Sequence, residues 1–97
     1  MRITYDPAKR EKTLADRELD FEDAAEVFAD PVQTDEDTRE DYGERRYVTV
    51  GYLRGRMVVV VWTPRDGDER RIISMRKANA REQAAFGQQL GEGGRDD

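Results

Sequence analysis

Apolar residues recur along this chain with two different periods, and the change of period divides it into elements. Residues 2–5, RITY, predict a short opening strand, and Asp6-Pro7 supplies a helix cap followed by proline at the first helical position. The helix that follows, over about 7–16, holds Ala8, Leu14 and Ala15 as its few apolar residues and predicts a surface element. In DFEDAAEVFADP, Phe21, Ala24, Ala25 and Phe28 fall at i, i+3, i+4 and i+7. Asp20 caps that pattern, Asp23 takes the capping-box position and Pro31 stops it, so a second helix is predicted over 21–29.

The period then shortens to two. Residues 32–44 are polar, with six acids in DEDTREDYGE, and predict a ragged edge strand or a mobile loop. RRYVTVGYL at 45–53 alternates, Arg54-Gly55 signals a hairpin turn, and RMVVVVWT at 56–63 is apolar on both faces, as a central strand must be. PRDGD turns the chain into a last strand, ERRIISMRK at 69–77. Asn79 and Glu82 then stand in capping-box spacing at the start of a final helix, with Ala85 and Phe86 facing inward. GEGGRDD reads as a disordered tail. Helices segregated from consecutive strands define an α+β fold: one compact domain over residues 1–90, with an antiparallel sheet of about four strands, two N-terminal helices and one C-terminal helix, then a tail at 91–97.

Composition narrows the chemistry. Of the 97 residues 36% are apolar and 40% charged, so the core is thin and the surface dense with charge. The chain has neither histidine nor cysteine, which excludes Ser-His-Asp and Cys-His arrangements and the usual zinc sites. The acidic loop lacks the EF-hand pattern, because Arg39 and Glu40 fall where an oxygen ligand and a glycine are required. No metal and no cofactor are expected. MVVVVW at 57–62 is far too short to span a bilayer and MRITYDPAKREK lacks an apolar leader core, so the expected location is cytoplasmic, without membrane contact.

Charge is unevenly spread. With 22 acids against 17 bases the net charge is −5, yet RRIISMRKANAREQAAF at 70–86 sums to +4. Strand alternation predicts Arg70, Ile72, Ser74 and Arg76 on one face and Arg71, Ile73, Met75 and Lys77 on the other. The strand end and helix start bring Arg76, Lys77, Asn79 and Arg81 together beside free N–H groups, an arrangement suited to phosphate. The competing account is internal pairing, since residues 16–44 hold 13 acids and two bases, and composition alone favours it.

Taken in order, YDPAK, FEDAAEVFADP, GERRYVTVGYLRGRMVVVVWT and RRIISMRKANAREQAAF resemble BrnT-type toxins of bacterial type II toxin-antitoxin systems, in register over about residues 4–87. The resemblance implies a RelE/ParE-like fold and a metal-independent ribonuclease activity that inhibits translation. It also implies neutralisation by a cognate ribbon-helix-helix antitoxin of the BrnA type, with operator DNA reached only through that antitoxin. By position it carries over Arg71, Arg76, Lys77 and Arg81, with Lys9; the leading reading gives catalysis to Arg71, Arg76 and Arg81 with Glu22 as general base, and RNA phosphate to Lys9, Arg17, Lys77 and Asn79. Two departures bear on activity. Such toxins commonly carry Lys-His-Gly where Asp16, Arg17 and Glu18 stand here, so Arg17, which cannot readily shuttle protons, replaces a candidate acid-base histidine. They also tend to be basic. The alternative reading is a catalytically degenerate toxin-fold module that binds an antitoxin-like partner without cleaving RNA.

Overall fold

The Val-rich run becomes the central strand because both of its faces are apolar. In a computed structural model that describes residues 1–94, with side chains through 87, the elements run β1 (Arg2–Tyr5), α1 (Pro7–Arg17), a 3₁₀ turn (Phe21–Asp23), α2 (Ala24–Ala29), β2 (Pro31–Glu36), β3 (Tyr47–Leu53), β4 (Arg56–Arg65), β5 (Glu69–Lys77) and α3 (Ala80–Gly94). Of the tail expected over 91–97, residues 91–94 form the end of α3 and 95–97 lie outside the described residues.

The sheet order is β1-β5-β4-β3-β2, with β1 parallel to β5 and every other pair antiparallel. This corrects the expected four-stranded antiparallel sheet to a five-stranded mixed one. Two causes lie behind the difference. RITY lies along the outer edge of β5 and runs parallel to it, a pairing between the two ends of the chain that no local signal announces. The polar segment at 31–36 pairs with β3 through its backbone, which needs no apolar side chains.

Each face of β4 organises one apolar cluster. Val58, Val60 and Trp62 meet Phe21, Val27 and Phe28 from the 3₁₀ turn and α2, together with Ile72 and Met75 from β5. Met57 and Val59 meet Val50 and Ala78 on the opposite face, where Phe86 of α3 covers them. The buried polar atoms among these are paired: the Trp62 indole N–H donates to Thr49 Oγ1 at 2.9 Å, and Thr49 meets the Thr34 hydroxyl at 2.8 Å.

Local chemistry sets the element ends. Asp6 accepts the Ala8 N–H at 3.0 Å and Pro7 opens α1, as expected. Glu18 ends α1 in the left-handed region, φ 59°, with its N–H on the Leu14 carbonyl. The predicted helix over 21–29 begins as 3₁₀, because the Asp20 carboxylate that caps the Glu22 N–H at 3.0 Å is also gripped by Arg10 at 2.7 and 2.9 Å. Strand β3 starts two residues later than predicted, since the Arg46 carbonyl is taken by the Asp37 N–H in the preceding loop.

Gly51 sits where α2 crosses β3. A Cβ there would lie 2.9 Å from Val27 Cγ1 and 3.3 Å from the Val27 carbonyl oxygen. Gly51→Ala is therefore expected to destabilise the fold by about 1–3 kcal/mol through overpacking, read as a lower urea midpoint with unchanged slope.

Candidate nucleic-acid interface

The basic stretch is built on an irregular strand. Val61 pairs with Ser74 and Trp62 with Ile72, so Ile73 is the extra residue of a β-bulge and has no partner on β4. The bulge reverses the alternation midway. Arg70, Ile72, Met75 and Lys77 share the α2 face with Trp62 and Val60, whereas Arg71, Ser74 and Arg76 share the other face with Thr63, Val61 and Val59. The expected grouping of Arg70 and Ile72 with Ser74 and Arg76 is thus corrected, and so is that of Arg71 with Met75.

Each cation of the stretch has a distinct setting. Arg70 lies over the Phe28 and Trp62 rings, 4.6 and 4.3 Å from their centroids, and closes the first cluster by cation–π contact. Arg76 is held by Glu82 through two bonds of 2.7 Å. Glu82 also accepts the Asn79 N–H at 2.9 Å while Asn79 Oδ1 accepts the Glu82 N–H at 2.8 Å, a complete capping box. The Asn79 side chain is therefore committed to α3. Half-buried Arg71 and exposed Lys77 and Arg81 make no ion pair among the described residues. Internal pairing accounts for one cation of the five.

Beyond Ile72 the outer edge of β5 has no strand neighbour among the described residues, because β1 pairs only with Glu69–Ile72. Arg17 reaches this edge from the end of α1 and donates from Nη1 to the Met75 carbonyl at 2.9 Å. A cavity of about 230 Å³ opens there, lined by Lys9, Lys12, Thr13, Asp16, Arg17, Ile73 and Ser74. A second, of about 470 Å³, lies on the opposite face, which carries α3, and is lined by Arg76, Glu82, Asp37, Arg39 and Ser74 among others. Ser74 belongs to both walls. Lys9 and Arg17 are thereby brought together, and Arg76 stands next door. Lys77 opens instead onto a third cavity, with Tyr52 and Arg56.

Glu22 is placed elsewhere. It accepts the Tyr5 hydroxyl beside the Arg10–Asp20 pair, on the α2 side of the sheet, and that bond holds the Tyr5 phenol above its ordinary pKa. The structure does not bring Glu22 beside Arg76. Sequence reasoning missed Ser74 as a shared wall, and it missed the Asp37–Arg39 pair at 2.8 Å. Neither has a sequence signal, since one depends on the bulge and the other on a loop fold.

Two carboxylates of the second cavity are strongly acidified. Bonding to Arg76, and then to the Asn79 N–H, holds Glu82 at about 2, and Arg39 does the same for Asp37. Such carboxylates are poor proton acceptors near neutrality, so this face offers cations and a hydroxyl but little general base.

These elements describe a small α+β domain with a cationic strand edge and a bulged basic strand. The family model for BrnT, the ribonuclease toxin of type II toxin-antitoxin systems, matches residues 5–82. The fold also matches the crystal structure of the Brucella abortus ribonuclease toxin BrnT, with 26% sequence identity and a TM-score of 0.63 over 81% of this chain and 97% of that one. A search of curated proteins gave no match. The chain belongs to the BrnT ribonuclease toxin family, and membership of a type II toxin-antitoxin family implies an antitoxin partner. No helix among the described residues is long and apolar enough to cross a membrane.

The Arg76–Glu82 pair predicts an acid response. Glu82 has a folded pKa near 2 against 4.5 for the free group, so the stability it contributes is present above about pH 4.5 and is lost as the pH falls toward 2. Glu82→Gln is expected to lower stability at pH 7 by about 1–2 kcal/mol and to flatten the decline between pH 4.5 and 2, measured as urea midpoints across that range.

Proposed function

We propose that residues 1–90 act as a cytoplasmic ribonuclease toxin that inhibits translation by cutting RNA and is neutralised by a cognate ribbon-helix-helix antitoxin, through which alone the pair reaches operator DNA. The observation that carries this reading is the shared Ser74 wall. It joins the Lys9 and Arg17 cavity to the Arg76 cavity across an open strand edge, in a chain of a ribonuclease toxin family.

In the proposed reaction the RNA backbone follows that edge, with Lys9, Arg17 and Lys77 holding flanking phosphates. The 2′-oxygen attacks the adjacent phosphorus, the bond to the 5′-oxygen breaks, and a 2′,3′-cyclic phosphate and a 5′-hydroxyl result. Arg71, Arg76 and Arg81 stabilise the charge that builds on the phosphoryl oxygens. Glu22, engaged by Tyr5 on the other side of the sheet, takes no part. The 2′-hydroxyl proton leaves to hydroxide, and water protonates the departing 5′-oxygen.

The bonds from Arg76 to Glu82 and from Arg17 to the Met75 carbonyl favour a second reading, in which the toxin fold binds its antitoxin without cleaving RNA. Expression in a bacterial host separates the two. On the ribonuclease reading the wild-type chain halts growth and shortens cellular RNA. Arg71→Ala reduces cleavage on the order of a hundredfold at unchanged thermal midpoint, and the rate climbs with pH by up to about tenfold per unit. A folded protein that is harmless and leaves RNA intact at low salt would show that the second reading is correct.

A further inference from the structure

Acids line three of the four cavities described above and beside α2: Asp16 beside Lys9, Asp37 and Glu82 beside Arg76, and Glu18 and Asp23 beside Arg54. The largest, about 530 Å³, is different. Its wall is made by Tyr52, Arg56, Met57, Lys77, Ala78 and Gln83 with Gly55, and among the described residues it holds no carboxylate. Arg56 and Lys77 are both exposed, and neither belongs to an ion pair among the described residues. In a chain of net charge −5, two unpaired cations sharing one acid-free hollow form a local positive site in a negative field.

The remainder of the wall is apolar and held in place. Met57 and Ala78 are buried, and the Ala78 N–H donates to the Met57 carbonyl at 3.0 Å. Tyr52 packs against the cluster of Val50, Met57, Val59 and Ala78, which fixes its ring while leaving it half-exposed. Gln83 Nε2 donates to the Ala78 carbonyl at 3.0 Å, so the amide is oriented with its oxygen unspent. A cationic rim, an immobilised ring and an oriented amide match the three parts of a nucleotide: phosphate, base face and base edge.

We propose that this cavity is a nucleotide subsite for single-stranded RNA. Arg56 and Lys77 hold the phosphate, the base lies on Tyr52 and Met57, and Gln83 meets the base edge. The proposal deepens the ribonuclease reading and rests on it for the biological ligand. Its place along the strand fits that role. Lys77 directly follows Arg76, and Gln83 lines this cavity while Glu82 lines the groove on the other side of the α3 start, so the subsite takes a nucleotide next to the one at Arg76.

The test is an NMR titration of the full chain with 5′-AMP, with a 2′-deoxy dinucleotide that cannot be cut by its own hydroxyl, and with inorganic phosphate. Both nucleotides are expected to shift the Tyr52 ring protons upfield together with the Lys77 amide. Arg56→Gln with Lys77→Gln weakens binding of all three ligands on the order of tenfold. Tyr52→Leu weakens the nucleotides at least about fivefold but leaves phosphate unchanged, and Tyr52→Phe, a folding control, retains both. Shifts confined to other residues, nucleotide affinity indifferent to the Arg56/Lys77 pair, or binding of hexaglutamate as tight as the dinucleotide overturns the proposal, the last by assigning the surface to an acidic partner. RNA cleavage without shifts at Tyr52 sinks the subsite and leaves the ribonuclease reading standing. Nucleotide binding at Tyr52 without any cleavage does the reverse.

Discussion

The arrangement of the basic face depends on one extra residue in β5. With strict alternation Ile72 and Met75 would point to opposite sides of the sheet, and the first cluster would lose one of two fully buried side chains. Inserting Ile73 opposite no partner lets both enter the same core, beside Trp62 and Val60. The same insertion turns Ser74 and Arg76 to the face that already carries Arg71. Apolar burial favours the bulge, and the gathering of polar groups on one face follows from it. The placement of the candidate phosphate groups is thus a by-product of packing Ile72 with Met75, and it needs no attraction among the cations themselves.

Charge pairing then decides which of those cations remain available. Most arginines outside the region are matched: Arg10 with Asp20, Arg39 with Asp37, Arg54 with Asp23 and Glu26, Arg65 with Glu44. These pairs are largely exposed and contribute modestly to stability, but they cancel charge locally. Lys9, Arg17, Arg56, Arg71, Lys77 and Arg81 are left without carboxylate partners among the described residues, and most of them stand around the second half of β5 and the start of α3. An acidic chain can hold a polyanion site by this route, because the distant negative charge is largely screened beyond a Debye length while unpaired cations in the site act on the ligand within it.

Much of the architecture was legible in the residues. The caps at Asp6 and Asn79, the Arg54-Gly55 turn and the apolar Val-rich strand all act locally, and each forms where its signal stands. What was not legible depends on contacts distant in sequence. The parallel pairing of β1 joins it to β5, far along the chain, and β2 carries no apolar alternation to announce it. The bulge is invisible because IIS reads equally well in either register, and only the competition between two apolar faces resolves it. The candidate site was legible as a list of cations, yet its division among three cavities turns on that same register.

Arg76 sharpens what a phosphate would have to do here. Its guanidinium is already filled by a carboxylate in bidentate geometry, and that carboxylate also completes the cap of α3. A phosphoryl group taking the same two N–H donors must displace Glu82, exposing a negative charge beside the incoming one unless Glu82 turns away. Binding through Arg76 alone is therefore weakened by the cost of breaking the cap. On the proposed ribonuclease reading, Lys9, Arg71 and Lys77 meet no such competition, so initial affinity would reside with them, and engagement of Arg76 would come after the backbone is already held. An interaction made only at that later stage is the kind that separates cleavage from mere binding, so on the proposed reading the balance between a working and a silent toxin would lie at the Arg76–Glu82 pair.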